Sequence, residues 1–225
     1  MIPFLSAVVP SLAILYFFYS QDRYPEPFHM IFKTFVFGVL ISFPALYINT
    51  YFINLIYDLH EFDEISQNIY YFLDSLIPGA LVEEILKFLV LYFFCFRSKH
   101  LDDKMDALVY GTTVSLGFAA IENISYVLNA EFYDTTWSEI AWLRTFTAVP
   151  AHASWGIIMG YFLYTFRDNK IKAISLSLVV PITLHMLYNA NYFQYLAVLI
   201  FSIILALVFV SKSKKIQFLN PWSSR

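Results

Sequence analysis

Seven apolar stretches dominate this sequence, and each is long enough to cross a lipid bilayer as an α-helix. A helix needs about 20 predominantly apolar residues, with a range of roughly 17 to 25, to span the hydrocarbon core. Hydrophobic residues make up 59% of the 225 positions and charged residues 14%, whereas a soluble domain carries about a quarter charged residues. The sequence therefore predicts an all-α, polytopic transmembrane helical bundle that forms a single domain over residues 1–225. The predicted spans are 1–20, 28–57, 69–96, 105–128, 138–166, 171–190 and 194–210.

Two of these stretches allow a second interpretation. Residues 1–20 are apolar like a signal peptide, but they lack its basic start and its small-residue cleavage pattern, so we predict a retained span. The fifth stretch, 138–166, is long enough to be either one span or a shorter span that follows an interfacial segment.

The basic residues of the connections predict the orientation. The second, fourth and sixth connections contain no Lys or Arg, and the positive-inside rule assigns the basic connections to the cytoplasm. Seven spans put all the basic connections on that side, with the N-terminus outside and the C-terminus inside. The net charge of −3 gives no indication of nucleic-acid binding. The basic residues of the connections and of the C-terminal tail are Arg23; Arg97, Lys99 and Lys104; Arg167, Lys170 and Lys172; and Lys212, Lys214, Lys215 and Arg225.

Three charged residues interrupt the third stretch near its centre. Glu83, Glu84 and Lys87 lie among residues that are otherwise nearly all apolar or aromatic. An unpaired ion in the middle of a bilayer costs from about 3 to more than 10 kcal/mol. Structure alone gains nothing from that cost, so the segment is predicted to carry a functional site.

Further polar residues lie at a similar depth in three other spans. With a rise of 1.5 Å per residue, Glu84 and His152 fall close to the midpoints of their spans, and Glu122 and His185 lie roughly 8 and 6 Å toward the outer face. Prolines or glycines precede these positions. They leave backbone carbonyls without a helical partner, which favours a hydrated pocket, although both residue types are common in membrane helices. The full set adds Asn123 in the fourth span and Asn189, which shares a helix face with His185. Arg144 lies nearer the outer end of its span, where its side chain can reach the interface.

Lys87 can neutralise only one of its two neighbouring glutamates fully. Adjacent helical residues diverge by about 100°, so Glu83 and Glu84 point in different directions. The i,i+4 spacing favours Glu83 as the partner of Lys87 and leaves Glu84 as the free carboxylate, although the i,i+3 pairing with Glu84 also fits.

This constellation suits two kinds of hydrolysis. Glu84, Glu122, His152 and His185 are candidate ligands for a divalent metal such as Zn²⁺, which lowers the pKa of its bound water. Alternatively, a glutamate acts as general base while His and Asn stabilise the oxyanion. Two non-enzymatic alternatives are a set of interhelical hydrogen bonds and a proton- or ion-coupled transporter. The single cysteine, Cys95, excludes an internal disulfide and a thiolate metal cluster.

The ordered motifs resemble the PrsW family of intramembrane proteases. They are Glu83-Glu84-x-x-Lys87, Phe118-x-x-x-Glu122-Asn123, His152 and His185-x-x-x-Asn189, and the turn Asp22-Arg23-Tyr24-Pro25-Glu26-Pro27 is also similar. The resemblance implies a metalloprotease of the cell membrane that cuts a membrane-anchored anti-sigma factor on its extracytoplasmic side. Glu83, Glu84, Lys87, Glu122, Asn123, His152, His185 and Asn189 would then form the catalytic site.

The chain departs from the family and its relatives at two positions. The last motif of the family often ends in Asp, whereas Asn189 cannot serve as a charged metal ligand. The wider group includes CAAX-type prenyl endopeptidases and bacteriocin-immunity proteins, whose second motif usually ends in His, where this chain has Glu122 and Asn123. A CAAX-type endopeptidase acting on prenylated tails therefore stays as the alternative enzymatic interpretation.

Overall fold

The computed structural model describes residues 2–190 and 195–219, and these residues form helices and connections without any β-strand. The all-α prediction is therefore confirmed. Positions 191–194 and 220–225, including the predicted sixth connection and Arg225, lie outside the described residues. The described α-helices are α1 (Ile2–Tyr19), α2 (Phe28–Glu61), α3 (Gln67–Ser75), α4 (Val82–Val90), α5 (Lys104–Leu128), α6 (Trp137–Phe146), α7 (Ala148–Thr165), α8 (Lys170–Ala190) and α9 (Tyr195–Leu219).

Five of the described helices are long and apolar enough to cross a membrane, judged by length and composition. They are α1, α2, α5, α8 and α9. The other two predicted spans are divided. Residues 69–96 contain most of α3, a break at Pro78 and Gly79, α4 and one wide helical turn, and residues 138–166 contain the separate helices α6 and α7. One continuous helix over 138–166 is thus wrong, and the shorter span after a separate segment fits the structure better. The count of seven spans and the orientation stay predictions.

Helices α5 and α7 form the centre of the bundle and approach each other through glycines. A methyl group added at Gly156 would lie 2.3 Å from the carbonyl oxygen of Gly111, and one added at Gly160 would lie 2.1 Å from that of Ala107. Small residues allow this close approach of backbones between membrane helices. The segment 156–160 therefore serves helix packing, and it fixes the position of α7, which carries His152.

We expect Gly156→Ala to lower the melting temperature of the purified protein. The added methyl group would meet a backbone carbonyl, which cannot move aside as a flexible side chain can. Overpacking of this kind costs about 1–3 kcal/mol. Thermal unfolding in detergent measures the effect, and Ala13→Val, on the exposed face of α1, serves as a control that adds volume without a clash. Equal melting temperatures for Gly156→Ala and wild type would contradict the close packing.

The first, third and fifth connections meet the end of α9 at one end of the bundle. The Gln217 amide donates to Asp22 Oδ1 at 2.8 Å and to Asp103 Oδ2 at 2.5 Å. The Tyr164 hydroxyl, near the fifth connection, donates to the carbonyl of Asp102 at 2.8 Å. The basic connections thus lie together, as the charge pattern predicts. Helix α9 extends beyond the predicted end of the last span at 210, because Lys and Gln favour helix and Gln217 is held by these contacts.

Candidate active site

A break in the third predicted span places two glutamates at the start of a helix. Pro78 has extended backbone angles (φ −71°, ψ 138°), and Gly79 has φ 80° and ψ −89°, a conformation that side chains other than glycine strongly disfavour. Proline interrupts the hydrogen bonding of a helix, so α3 ends before this point and α4 begins after it. Glu83 and Glu84 lie in the first turn of α4, where free backbone N–H groups and the helix dipole favour carboxylates.

Lys87 is the centre of the first ion-pair cluster. Its ammonium lies 2.8 Å from Glu84 Oε1 and 3.4 Å from Glu83 Oε2, and it donates to His152 Nδ1 at 2.9 Å. Glu84 Oε1 also accepts a hydrogen bond from His185 Nδ1 at 3.0 Å. The side chains of Lys87 and Glu84 have no exposed surface. A single buried ammonium therefore connects α4 to α7, and Glu84 connects α4 to α8.

Glu83, and not Glu84, faces the cavity. The expectation that Glu84 is the free carboxylate is wrong, because Lys87 lies closer to Glu84 than to Glu83 and His185 also pairs with Glu84. Glu83 lines the cavity and accepts two long hydrogen bonds, of 3.4 Å from the Lys87 ammonium and 3.5 Å from the side-chain amide of Asn49. Long helical side chains lean toward the N-terminus and reach both i−3 and i−4, so spacing alone does not select the partner.

A second cluster surrounds Glu122. His152 Nε2 donates to Glu122 Oε2 at 2.8 Å, and Arg144 Nη2 lies 3.0 Å from the same oxygen. Arg144 Nε donates to Asn123 Oδ1 at 2.6 Å, and its guanidinium lies 3.8 Å from the centre of the Tyr126 ring. Arg144, expected to reach for the interface, instead compensates the charge of Glu122.

The contacts fix the proton positions on both histidines. An ammonium can only donate, so His152 accepts from Lys87 at Nδ1 and carries its proton on Nε2 toward Glu122. An ionised carboxylate can only accept, so His185 carries its proton on Nδ1, toward Glu84, and keeps Nε2 as an acceptor. The His185 ring stacks on Trp155 with centroids 4.1 Å apart, which holds the ring in this orientation.

An open cavity of about 510 Å³ gives access to part of this network. It lies between α2, the broken segment before α4, α5 and α8. Of the eight predicted site residues, those lining it are Glu83, Glu122, His185 and Asn189. Glu84, Lys87 and His152 contact them from behind, and Asn123 contacts Arg144, the partner of Glu122.

Three side chains could hold a metal ion at this cavity. Glu83, Glu122 and His152 each offer one ligand atom, and these atoms lie within 4.8 Å of one another. Glu122 and His152 belong to the predicted ligand set, whereas Glu84 and His185, also predicted, pair with each other outside this group. The network holds three carboxylates, on residues 83, 84 and 122, and two cations, on 87 and 144, so one negative charge is left over at ordinary charge states.

Sequence reasoning missed Arg144 and Asn49 as members of the site. The sequence could have indicated Arg144, because Glu122 at membrane depth requires a cation and Lys87 already pairs with two other carboxylates. Nothing in the sequence indicated Asn49 except that it is a polar residue in an apolar helix.

Carboxylates and imidazoles from four helices of the bundle converge on a cavity, an arrangement that fits a membrane-embedded hydrolase. The chain belongs to the PrsW family: residues 26–212 match the family described as PrsW family intramembrane metalloprotease. The protein is therefore a membrane peptidase, which favours the protease interpretation over a transporter or a purely structural protein.

Curated relatives agree with this family over most of their length. Protease PrsW of Oceanobacillus iheyensis is 35% identical over 193 residues, which cover 84% of this chain and 82% of the relative. Protease PrsW of Bacillus subtilis is 33% identical over 226 residues, covering 96% and 95%. Protease PrsW of Clostridioides difficile is 31% identical over 192 residues, covering 83% and 77%. No solved structure matches the chain.

Proposed function

We propose that this protein hydrolyses a peptide bond of a membrane-anchored protein at the cavity, with Glu83 activating the water. The observation that carries the proposal is the position of Glu83, whose carboxylate faces the cavity close to Glu122 and His152. The family resemblance supports the finer substrate class, an anti-sigma-factor-like protein of the cell membrane that is cut on the extracytoplasmic side.

The chain's own residues suffice to describe the proton transfers. Glu83 takes a proton from water while the water oxygen attacks the carbonyl carbon of the substrate. When the tetrahedral intermediate collapses, the C–N bond breaks and Glu83 returns the proton to the leaving amine. Asn189 lines the same cavity and is positioned to donate to the oxyanion.

The remaining residues hold Glu83 and its neighbours in place. Lys87 and Glu84 fix α4 against His152 and His185. Asn123 orients Arg144, which in turn balances Glu122. A network of paired charges in a low-dielectric interior stays rigid during the reaction, so little reorganisation is required when charge develops on the substrate.

The residues at the cavity fit a divalent metal. Carboxylate and imidazole ligands suit Zn²⁺, and the surplus negative charge of the network favours an added cation. Glu122 and His152 would hold the metal, and Glu83, with an oxygen within 4.8 Å of both ligand atoms, would act on the water as the base. When bound, the metal would supply Lewis-acid polarisation and a water of lowered pKa. His152 carries its proton on the nitrogen facing Glu122, so metal binding through that nitrogen would require the ring proton to move to Nδ1, the nitrogen that faces Lys87.

We expect purified protein to cleave a single-pass anti-sigma factor that is co-reconstituted with it in proteoliposomes. Chelation should abolish cleavage, and added Zn²⁺ should restore it, because the metal lowers the barrier to water ionisation. Mass spectrometry of the products locates the cut, and metal analysis of the protein measures the content. Cleavage that persists in chelator, in protein without bound metal, would contradict the requirement for a metal and would favour the mechanism that uses the glutamate alone. A prenylated peptide as the preferred substrate would contradict the proposed substrate class.

A further inference from the structure

A second group of buried carboxylates lies far from the active site. Asp22 in the first connection converges with Asp103 and Asp106 at the start of α5, and one oxygen from each lies within 4.8 Å of the others. All three are buried, with exposed fractions of 6%, 9% and 1%. Asp106 and Glu122 both lie on α5, sixteen positions apart, which corresponds to about 24 Å along the helix. The two groups are therefore separate sites.

Hydrogen bonds hold the three side chains but bring no positive charge. Asp103 and Asp106 form the capping box of α5 through backbone N–H groups. The Gln217 amide, which is neutral, bridges Asp22 and Asp103. Within the described residues, every ion pair shorter than 4.0 Å lies in the active site, and none involves these three carboxylates.

One oxygen of this group points to a missing partner. Asp22 Oδ1 accepts hydrogen bonds from the Tyr24 N–H and the Gln217 amide. Its second oxygen, Oδ2, is buried and has no hydrogen-bond partner among the described residues. A buried carboxylate is stable only when it is paired, protonated or bound to a metal, and Asp106, itself a carboxyl group, is the neighbouring side chain that could share a proton or a metal with Asp22.

A fourth acid adds to the unbalanced charge. Glu26, also in the first connection, is buried and accepts a hydrogen bond from the Tyr110 hydroxyl.

We propose that Asp22, Asp103 and Asp106 bind a hard divalent cation of the Mg²⁺ or Ca²⁺ class. The donor set consists of oxygens only, which suits these ions, whereas the cavity set includes an imidazole and suits Zn²⁺. The cation joins the first connection to the start of α5, next to the end of α9. It therefore fastens the three elements that meet at this end of the bundle.

Binding of the metal alone tests the site. Purified full-length protein, freed of metal by chelation, is titrated with Mg²⁺ and with Ca²⁺ by isothermal calorimetry, and its melting temperature is measured with and without each ion. We expect at least one ion to bind and to raise the melting temperature. Asp22→Asn should weaken binding by at least about tenfold, because it replaces the unpartnered oxygen with a nitrogen that cannot bind the metal.

A control variant separates this site from the active site. Glu83→Gln, at the cavity, should bind Mg²⁺ or Ca²⁺ as the wild type does. Loss of binding in Glu83→Gln, or unchanged binding in Asp22→Asn, would assign the ion to another place and overturn the proposal. Asp22→Ser provides a second variant with a small polar side chain in case Asp22→Asn does not fold. A wild-type protein that takes up neither ion at millimolar concentration would overturn the proposal regardless of the variants.

Discussion

Replacing Glu83 with Gln should abolish proteolysis and leave the bundle folded. The carboxylate faces the cavity, its distance to Lys87 is 3.4 Å, and its hydrogen bond to Asn49 is 3.5 Å long. These weak contacts contribute little to stability, and Gln has nearly the same shape as Glu. A positioned general base contributes about 10²–10⁴ in rate, so we expect a loss of at least about 10². Initial cleavage rates in proteoliposomes measure the loss, and melting temperatures verify folding.

Two matched variants make this result specific. Glu64→Gln removes an exposed carboxylate from the second connection and should keep the wild-type rate. Glu84→Gln should instead destabilise the protein, because Glu84 is the closest carboxylate to Lys87 and also binds His185. A folded, inactive Glu84→Gln beside a fully active Glu83→Gln would reverse the roles given to the two glutamates.

Replacing Lys87 with Met should have the largest effect on stability. The ammonium is fully buried and contacts Glu83, Glu84 and His152. Met fills a similar volume but leaves two carboxylates without their cation, and removing one partner of a buried ion pair costs about 3–5 kcal/mol. That cost is a large part of a typical folding free energy of about 5–15 kcal/mol. We therefore expect a sharply lower melting temperature or a failure to accumulate in membranes.

A double variant identifies the origin of this loss. Lys87→Met combined with Glu84→Gln should recover part of the stability, because removing both partners of a buried pair costs less than removing one. Lys33→Met, on an exposed part of α2, provides the control for loss of a lysine. A Lys87→Met protein as stable as the wild type would show that the buried ammonium compensates neither glutamate.

The sequence predicted that these polar residues come together because membrane depth makes polar residues costly. Glu84, Glu122, His152 and His185 lie on four helices, and the contacts through Lys87 and Glu84 bring them together. The all-α fold followed equally from the apolar stretches. Both inferences depend on local composition, which a single sequence displays directly.

The pairing of the residues could not be predicted, because it depends on distances between helices. The choice between Glu83 and Glu84 follows from how α4 is oriented after the break at Gly79 and from His185 on α8. The role of Arg144 depends on α6 being separate from α7, so that its side chain reaches Glu122. The position of Asn49 depends on where α2 crosses the cavity. None of these relations is encoded in residue spacing.

The helix break at Pro78 and Gly79 also bears on the second reactant of hydrolysis. The backbone at Pro78 and Gly79 is not helical, and it lies in a predicted span, where lipid chains would offer no hydrogen bonds. Such backbone persists within a membrane only when protein or water surrounds it. Because Pro78 and Gly79 line the same cavity as Glu83, water that hydrates this backbone would stand next to the proposed base. The break that orients α4 would thereby also supply water for hydrolysis inside the membrane.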